Sequence, residues 1–235
     1  AQPARQAQRP RPRHGDRLHG ALERYETDSD VRAVVFTGSG GRAFVAGADI
    51  GELRQRGRAD ALRAINSRLF DRVASFPMPT IAAVRGYALG GGCELAIACD
   101  LRIAASSARF GQPEVGLGIM AAAGATSRLP KLVGLGRARE MLYTGRLIDA
   151  AEAFEIGLVN LVVDDDELLE ATAEMAQSIA RHDRLALQMT KLALAQADGG
   201  PAAARAFESA AQALLFESDE KRQRMDAFLQ RKRGK

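Results

Sequence analysis

The stretch from Thr80 to Ala105 restricts this chain more than any other part of it. Thr80–Val84 is a continuous apolar run of strand length, and Leu101–Ala105 is another. Between them lie a glycine-rich turn, Gly86–Gly92, and an apolar stretch, Cys93–Ala98, that reads as a short buried helix. Strands alternating with helices at this spacing predict parallel crossovers, and so an α/β core.

The pattern continues on both sides. Leu18, Ala21, Leu22 and Tyr25 recur at helical spacing, and Val31–Thr37 reads as a strand followed by a glycine-rich loop, Gly38–Gly47. Leu62, Ile65, Leu69, Val73 and Phe76 predict one amphipathic helix, stopped by Pro77 and Pro79. From about Leu135 the chain is mostly helix, with one short apolar segment at Leu158–Val163. Four helices close it: Glu167–Ala180, Arg184–Ala197, Pro201–Phe216 and Glu220–Arg231. Phe207, Leu214, Met225, Phe228 and Leu229 lie on their apolar faces and must be covered by the core or by a neighbouring subunit. Residues 1–17, rich in Pro, Arg and Gln, show no period and read as a disordered or atypical arm. The expected organisation is therefore the arm 1–17, an α/β core over 18–180 and a C-terminal helical region over 181–235.

Composition excludes several classes of protein. With 46% apolar and 26% charged residues among 235, the chain can bury a sizeable core. The longest small or apolar run, Gly116–Ala125, falls far short of the ~20 residues of a membrane helix, and the first residues lack a secretory pattern. The net charge of +4 belongs to the two ends, with +4 over residues 1–17 and +6 over 221–235. The stretch 18–220 carries −6, so no basic stripe for nucleic acid runs along the body. Cys93 and Cys99, if helical, point about 240° apart and are offset by about 9 Å, too far to form a disulfide. With three scattered histidines and no CxxC, neither a metal site nor a His-dependent triad is expected. A reducing, cytoplasmic compartment fits best.

Chemistry concentrates where glycine and acid meet beside strand ends. Gly90-Gly91-Gly92 opens the Cys93–Ala98 helix, where free N–H groups and the helix dipole face whatever lies above. Such a turn suits a phosphate or a developing oxyanion. The chain contains no P-loop, and no dinucleotide fingerprint in a strand–helix context. Glu94 follows the triple glycine and Glu114 follows Pro113. Alone, the first complements a helix dipole and the second is a loop carboxylate. As a pair beside glycine-rich turns they match general acid–base chemistry.

Those segments, AFVAGADI (43–50), IAAVRGYALGGGCELAIACDLRIAA (81–105) and ARFGQPEVGLGI (108–119), resemble the crotonase superfamily, that is, the enoyl-CoA hydratase/isomerase family. The likeness runs on through RLPKLVG (128–134), LYTGRLIDAAEAFEIGLVNLVV (142–163) and FESDEKRQRMDAFLQRK (216–232), covering about Leu18 to Lys232. It implies a crotonase-like spiral of ββα units with a C-terminal helical region that trimerises, as a homotrimer or a hexamer built as a dimer of trimers. It implies an acyl-CoA thioester as substrate, with no separate cofactor, metal, nucleic acid or membrane partner. By position, two backbone N–H donors for the thioester carbonyl fall on Ala48 and Gly91, and the two catalytic acids on Glu94 and Glu114. Ala46, Asp49, Ile50, Leu89 and Gly90 line the acyl-CoA groove, and Arg42, Arg231 and Lys232 face its phosphates. The implied reaction is hydration of a 2-enoyl-CoA; the alternatives are isomerisation or another reaction of the family, or acyl-CoA binding with weak activity.

Two stretches depart from the family pattern. Its opening Asn-Arg-Pro … Asn-Ala-Leu is reduced to Arg9-Pro10, so the first strands are expected to be missing or replaced. Where relatives read Ile-Pro-Gly-Ala-Gly-Gly, this chain has Met120-Ala121-Ala122-Ala123-Gly124-Ala125, whose methyl groups are expected to narrow the acyl pocket.

Overall fold

A computed structural model describes residues 14–47 and 49–233, without the side chains of His14, Asp16, Lys232 and Arg233. The chain opens on helix α1 (His14–Thr27), which begins inside the segment expected to be an arm; residues 1–13 lie outside the described residues. There follow β1 (Val34–Thr37), β2 (Ala43–Val45), α2 (Ile50–Gln55), α3 (Arg58–Arg63) and α4 (Ile65–Ala74). Next come β3 (Thr80–Val84), β4 (Tyr87–Leu89), α5 (Gly91–Ala98), β5 (Leu101–Ala105) and β6 (Arg109–Gly111). After a 3-10 turn (Pro113–Leu117) the chain forms α6 (Ala125–Thr144), β7 (Leu147–Asp149), α7 (Ala150–Glu155) and β8 (Leu161–Val163). It ends in α8 (Leu168–Ala180), α9 (Arg184–Gln196), α10 (Pro201–Glu217) and α11 (Asp219–Arg233).

The strands form two sheets, ordered β1-β3-β5-β8 and β2-β4-β6-β7. The first is parallel throughout; the second is parallel except for its β6–β7 edge. Through the first six strands, consecutive strands alternate between the sheets, so each turn of the spiral adds one rung to both. This is the crotonase-like fold that the resemblance implies. Where β2 and β4 lie, the sequence pattern predicts a glycine-rich loop and turn, because each strand is only three residues long and sits beside glycines, and β7 falls in the stretch read as mostly helix.

Burial explains the apolar runs. In β3 every residue is buried: Ile81 and Ala83 face α8 with Ile103, Ala105 and Leu168, while Ala82 and Val84 face the main core. The main core also takes Phe76, Met78, Phe110, Leu129, Met141, Ile148 and Leu158. The single helix predicted through Leu62 and Phe76 is two, broken at Ala64, whose φ of 49° interrupts the helix between α3 and α4. Cys93 and Cys99 are buried free thiols, both pushed up to about 12 chiefly by burial. Leu194, Leu214, Phe216 and Phe228 on α9–α11 are each more than half exposed, so this chain's own core does not cover that surface. No described helix is long and apolar enough to cross a membrane.

Candidate active site

Strand β4 ends at Leu89, and the next residue, Gly90, has φ of 53° and ψ of −121°, open to glycine and strained for other residues. The Gly90 N–H donates to the Gly111 carbonyl at the end of β6 (2.9 Å), which aims the chain into α5. Every residue of α5 from Gly92 to Ala98 is buried, so the helix is a fixed post inside the core. The N–H of Gly91, its first residue, makes no hydrogen bond among the described residues.

The end of β2 presses directly on this post. A Cβ on Gly92 would stand 1.8 Å from the Val45 carbonyl oxygen, and one on Gly47 would stand 3.1 Å from that of Leu89. The two glycine-rich segments therefore meet, Ala46–Gly47 against Leu89–Gly92, because neither carries a side chain at the crossing. Ala48, assigned from the resemblance as the second amide donor, lies outside the described residues. Asp49 acts locally, its carboxylate accepting from the Glu52 N–H (2.9 Å) as the cap of α2. Ile50 beside it is exposed.

Glu94 projects from the first turn of α5 and is only 3% exposed. Its Oε1 accepts from the backbone N–H groups of Ala123 (2.6 Å) and Ala125 (3.2 Å). Ala125 begins α6, so the carboxylate sits at a second helix N-terminus. Gly124 makes that corner with φ of 116°, and Arg128, four residues on, ties it down by donating to the Ala123 carbonyl (3.2 Å) and pairing with Asp71. The alanines read as narrowing the acyl pocket are thus the segment that holds Glu94, with Ala121 and Ala123 themselves buried.

Glu114 reaches the same place from the 3-10 turn after β6. Its Oε1 stands 2.7 Å from the position a Cβ on Gly90 would occupy, so the carboxyl hangs over the turn that launches α5. Gln112, 1% exposed, places its side-chain amide 3.2 Å from both carboxylate oxygens, which orients the NH2 toward them. Burial pushes both glutamates above the ordinary carboxylate value. For Glu94 the Ala123 and Ala125 amides and the Arg128 charge oppose that rise. For Glu114 the negative charge of Glu94 adds to it.

The structure thus brings Gly90, Gly91, Glu94 and Glu114 together, with Ala46 and Leu89 alongside. Arg42 and Arg231 are exposed and make no described contact with either glutamate; Lys232 lies in α11 with its side chain outside the described residues. Sequence reasoning missed Gln112, Arg128 and the amides of Ala123 and Ala125. For Gln112 the signal was present, two residues before the acid across Pro113. Among the described residues no His, Cys, Asp and Glu side chains cluster as a metal site would require.

Comparison with known proteins gives the family. The family model described as enoyl-CoA hydratase/isomerase matches residues 14–235. The chain is 43% identical to the short-chain-enoyl-CoA hydratase of Clostridium acetobutylicum over 213 residues, which is 88% of this chain and 81% of that one. It is 43% identical to the crotonyl-CoA hydratase of Syntrophomonas wolfei over 223 residues, 92% and 85% of the two chains. The crystal structure of an enoyl-CoA hydratase from Bacillus anthracis superposes with a TM-score of 0.89 at 36% identity, covering 92% of this chain and 85% of that one. With its spiral of paired sheets and its two glutamates gathered at one glycine-rich turn, the chain belongs to the enoyl-CoA hydratase/isomerase family.

Proposed function

We propose that the chain is an enoyl-CoA hydratase, adding water across the 2,3-double bond of a 2-enoyl-CoA thioester. The observation that carries this reading is the convergence of Glu94 and Glu114 on the Gly90 turn, beside the free N–H of Gly91. Hydration builds enolate charge on the thioester carbonyl oxygen. The Gly91 N–H, at the positive end of α5, is one donor for that charge, and Ala48 N–H is assigned as the other. A preorganised donor of this kind is worth about 3–4 kcal/mol of barrier.

Burial raises both glutamates, and the contributions that oppose it at Glu94 support a division of labour between them. Two backbone N–H groups and Arg128 favour the carboxylate of Glu94, whose charge in turn favours a protonated Glu114. Glu94 then takes a proton from water as its oxygen bonds to C3, and Glu114 delivers its proton to C2. Exchange with solvent resets the pair. The acyl-CoA groove runs past Ala46, Asp49, Ile50, Leu89 and Gly90, with Arg42, Arg231 and Lys232 facing the CoA phosphates. The uncovered apolar surface of α9–α11 supports a homotrimer or a dimer of trimers, and the two unpaired thiols support a reducing, cytoplasmic setting.

The test is loss of the conjugated-thioester absorbance of short 2-enoyl-CoAs. Glu94→Gln and Glu114→Gln are each expected to lower the rate at least about a hundredfold. Both variants should melt within a few degrees of the parent. Near-parental rates in both, or formation of that absorbance from a 3-enoyl-CoA with no hydration, would refute the reading.

A further inference from the structure

Arg102, on β5, is 3% exposed and has no carboxylate within ion-pair distance among the described residues. A buried cation ordinarily requires an acid partner. Here the guanidinium is held by backbone carbonyls instead. Its Nη1 donates to Cys99 O (2.6 Å) and Ala96 O (3.3 Å), its Nη2 to Asp100 O (3.3 Å) and its Nε to Leu158 O (2.6 Å). Ala96 lies in the last turn of α5, Cys99 caps that helix and Asp100 follows it. The nearest acid side chain, that of Asp100, is already bonded to Thr80 and neutralised by Lys191 (2.6 Å). The thiols of Cys93 and Cys99 carry no charge. A full positive charge therefore sits at the negative pole of the one helix whose positive pole carries the free Gly91 N–H.

We propose that Arg102 is a positioning residue for hydration, acting through α5 to strengthen the pull of its N-terminus on the thioester carbonyl. This rests on the hydratase reading above. A guanidinium stays protonated wherever the fold survives, so the effect is permanent. The helix has 8 residues, about 12 Å of rise, which puts the charge roughly 16 Å from the carbonyl. Through an effective dielectric of about 20, a unit charge at that range changes the rate about fivefold.

The experiment compares Arg102→Lys, which keeps the charge, with Arg102→Gln, which keeps donors and loses it. Lys191→Met, which leaves the Asp100 carboxylate unneutralised near Arg102, changes the local charge without removing Arg102 or any of the carbonyls that hold it. Four quantities are read: melting temperature, kcat, KM, and the red shift of bound cinnamoyl-CoA, whose conjugated thioester absorbs at longer wavelength as its carbonyl is polarised. Arg102→Gln is expected to lose about fivefold in kcat with KM within twofold, and to shrink the red shift. Arg102→Lys is expected to keep both, although it melts as low as Arg102→Gln. Lys191→Met is expected to lose two- to threefold in kcat. Equal kcat and equal red shift in the Lys and Gln variants would overturn the inference. If neither variant folds, a parental kcat in Lys191→Met overturns it. The red shift needs no turnover, so it reports the charge effect even if the parent hydrates nothing, an outcome that defeats the hydratase reading alone.

Discussion

Gly92→Ala tests how the site is assembled. A methyl group there would meet the Val45 carbonyl oxygen at 1.8 Å, the Val45 carbonyl carbon at 2.7 Å and the Val45 Cβ at 2.9 Å. Two of those three atoms are backbone, so relief requires β2 or α5 to move by over 1 Å. Overpacking of that kind costs about 3 kcal/mol. Alanine returns about 1 kcal/mol through its higher helix propensity. The net loss of about 2 kcal/mol corresponds to a melting temperature about 4–8 °C lower in a chain of this size. The displacement also separates Ala46–Gly47 from Leu89–Gly92, and a 1 Å misplacement at a reacting centre can cost about a hundredfold in rate. Gly91→Ala is the control, since a Cβ there has no atom within 4 Å. It should melt at or slightly above the parental temperature. Circular dichroism melts and the enoyl-thioester absorbance assay read both effects. A Gly92→Ala variant that melts within about 2 °C of the parent, or hydrates at the parental rate, would show that β2 does not bear on α5 in this way.

Two other outcomes follow from the same site. Because burial raises Glu94 and Glu114, the folded chain keeps their protons to a higher pH than the unfolded chain does. The stability they contribute is complete below the ordinary glutamate range, about pH 4.3, and is lost as pH rises through their folded values. Urea midpoints measured upward from that pH should therefore fall less steeply for Glu94→Gln than for the parent; parallel curves would contradict the burial argument. Arg42→Glu should raise KM for acyl-CoA while leaving kcat unchanged, because among the described residues only the Arg42 main chain is bonded to the scaffold, its carbonyl accepting from Tyr87 N–H (3.3 Å). An unchanged KM in steady-state kinetics would remove Arg42 from the CoA groove.

What could be read from sequence divides along a physical line. The first sheet was legible because β3 and β5 are buried on both faces, which demands continuous apolar runs. The second sheet was not, because a three-residue strand has room for little more than one alternation of side chains, and β2 and β4 sit beside glycines that punctuate turns elsewhere. Glu94 and Glu114 stood out as acids next to glycine-rich turns. The groups that hold Glu94 did not, since they are backbone amides 29 and 31 residues downstream, and an amide leaves no mark in the side-chain alphabet. The break at Ala64 was hidden for a related reason: alanine favours helix, and nothing in its side chain marks the φ of 49° it takes between α3 and α4.

The two cysteines give the folded chain an internal clock. Their thiols are enclosed and stay protonated through neutral pH, so an alkylating reagent finds no thiolate to attack while the core is closed. Cys93 is the immediate neighbour of Glu94, on the same first turn of α5. The rate at which it becomes labelled therefore times the opening of the helix on which the acid is mounted.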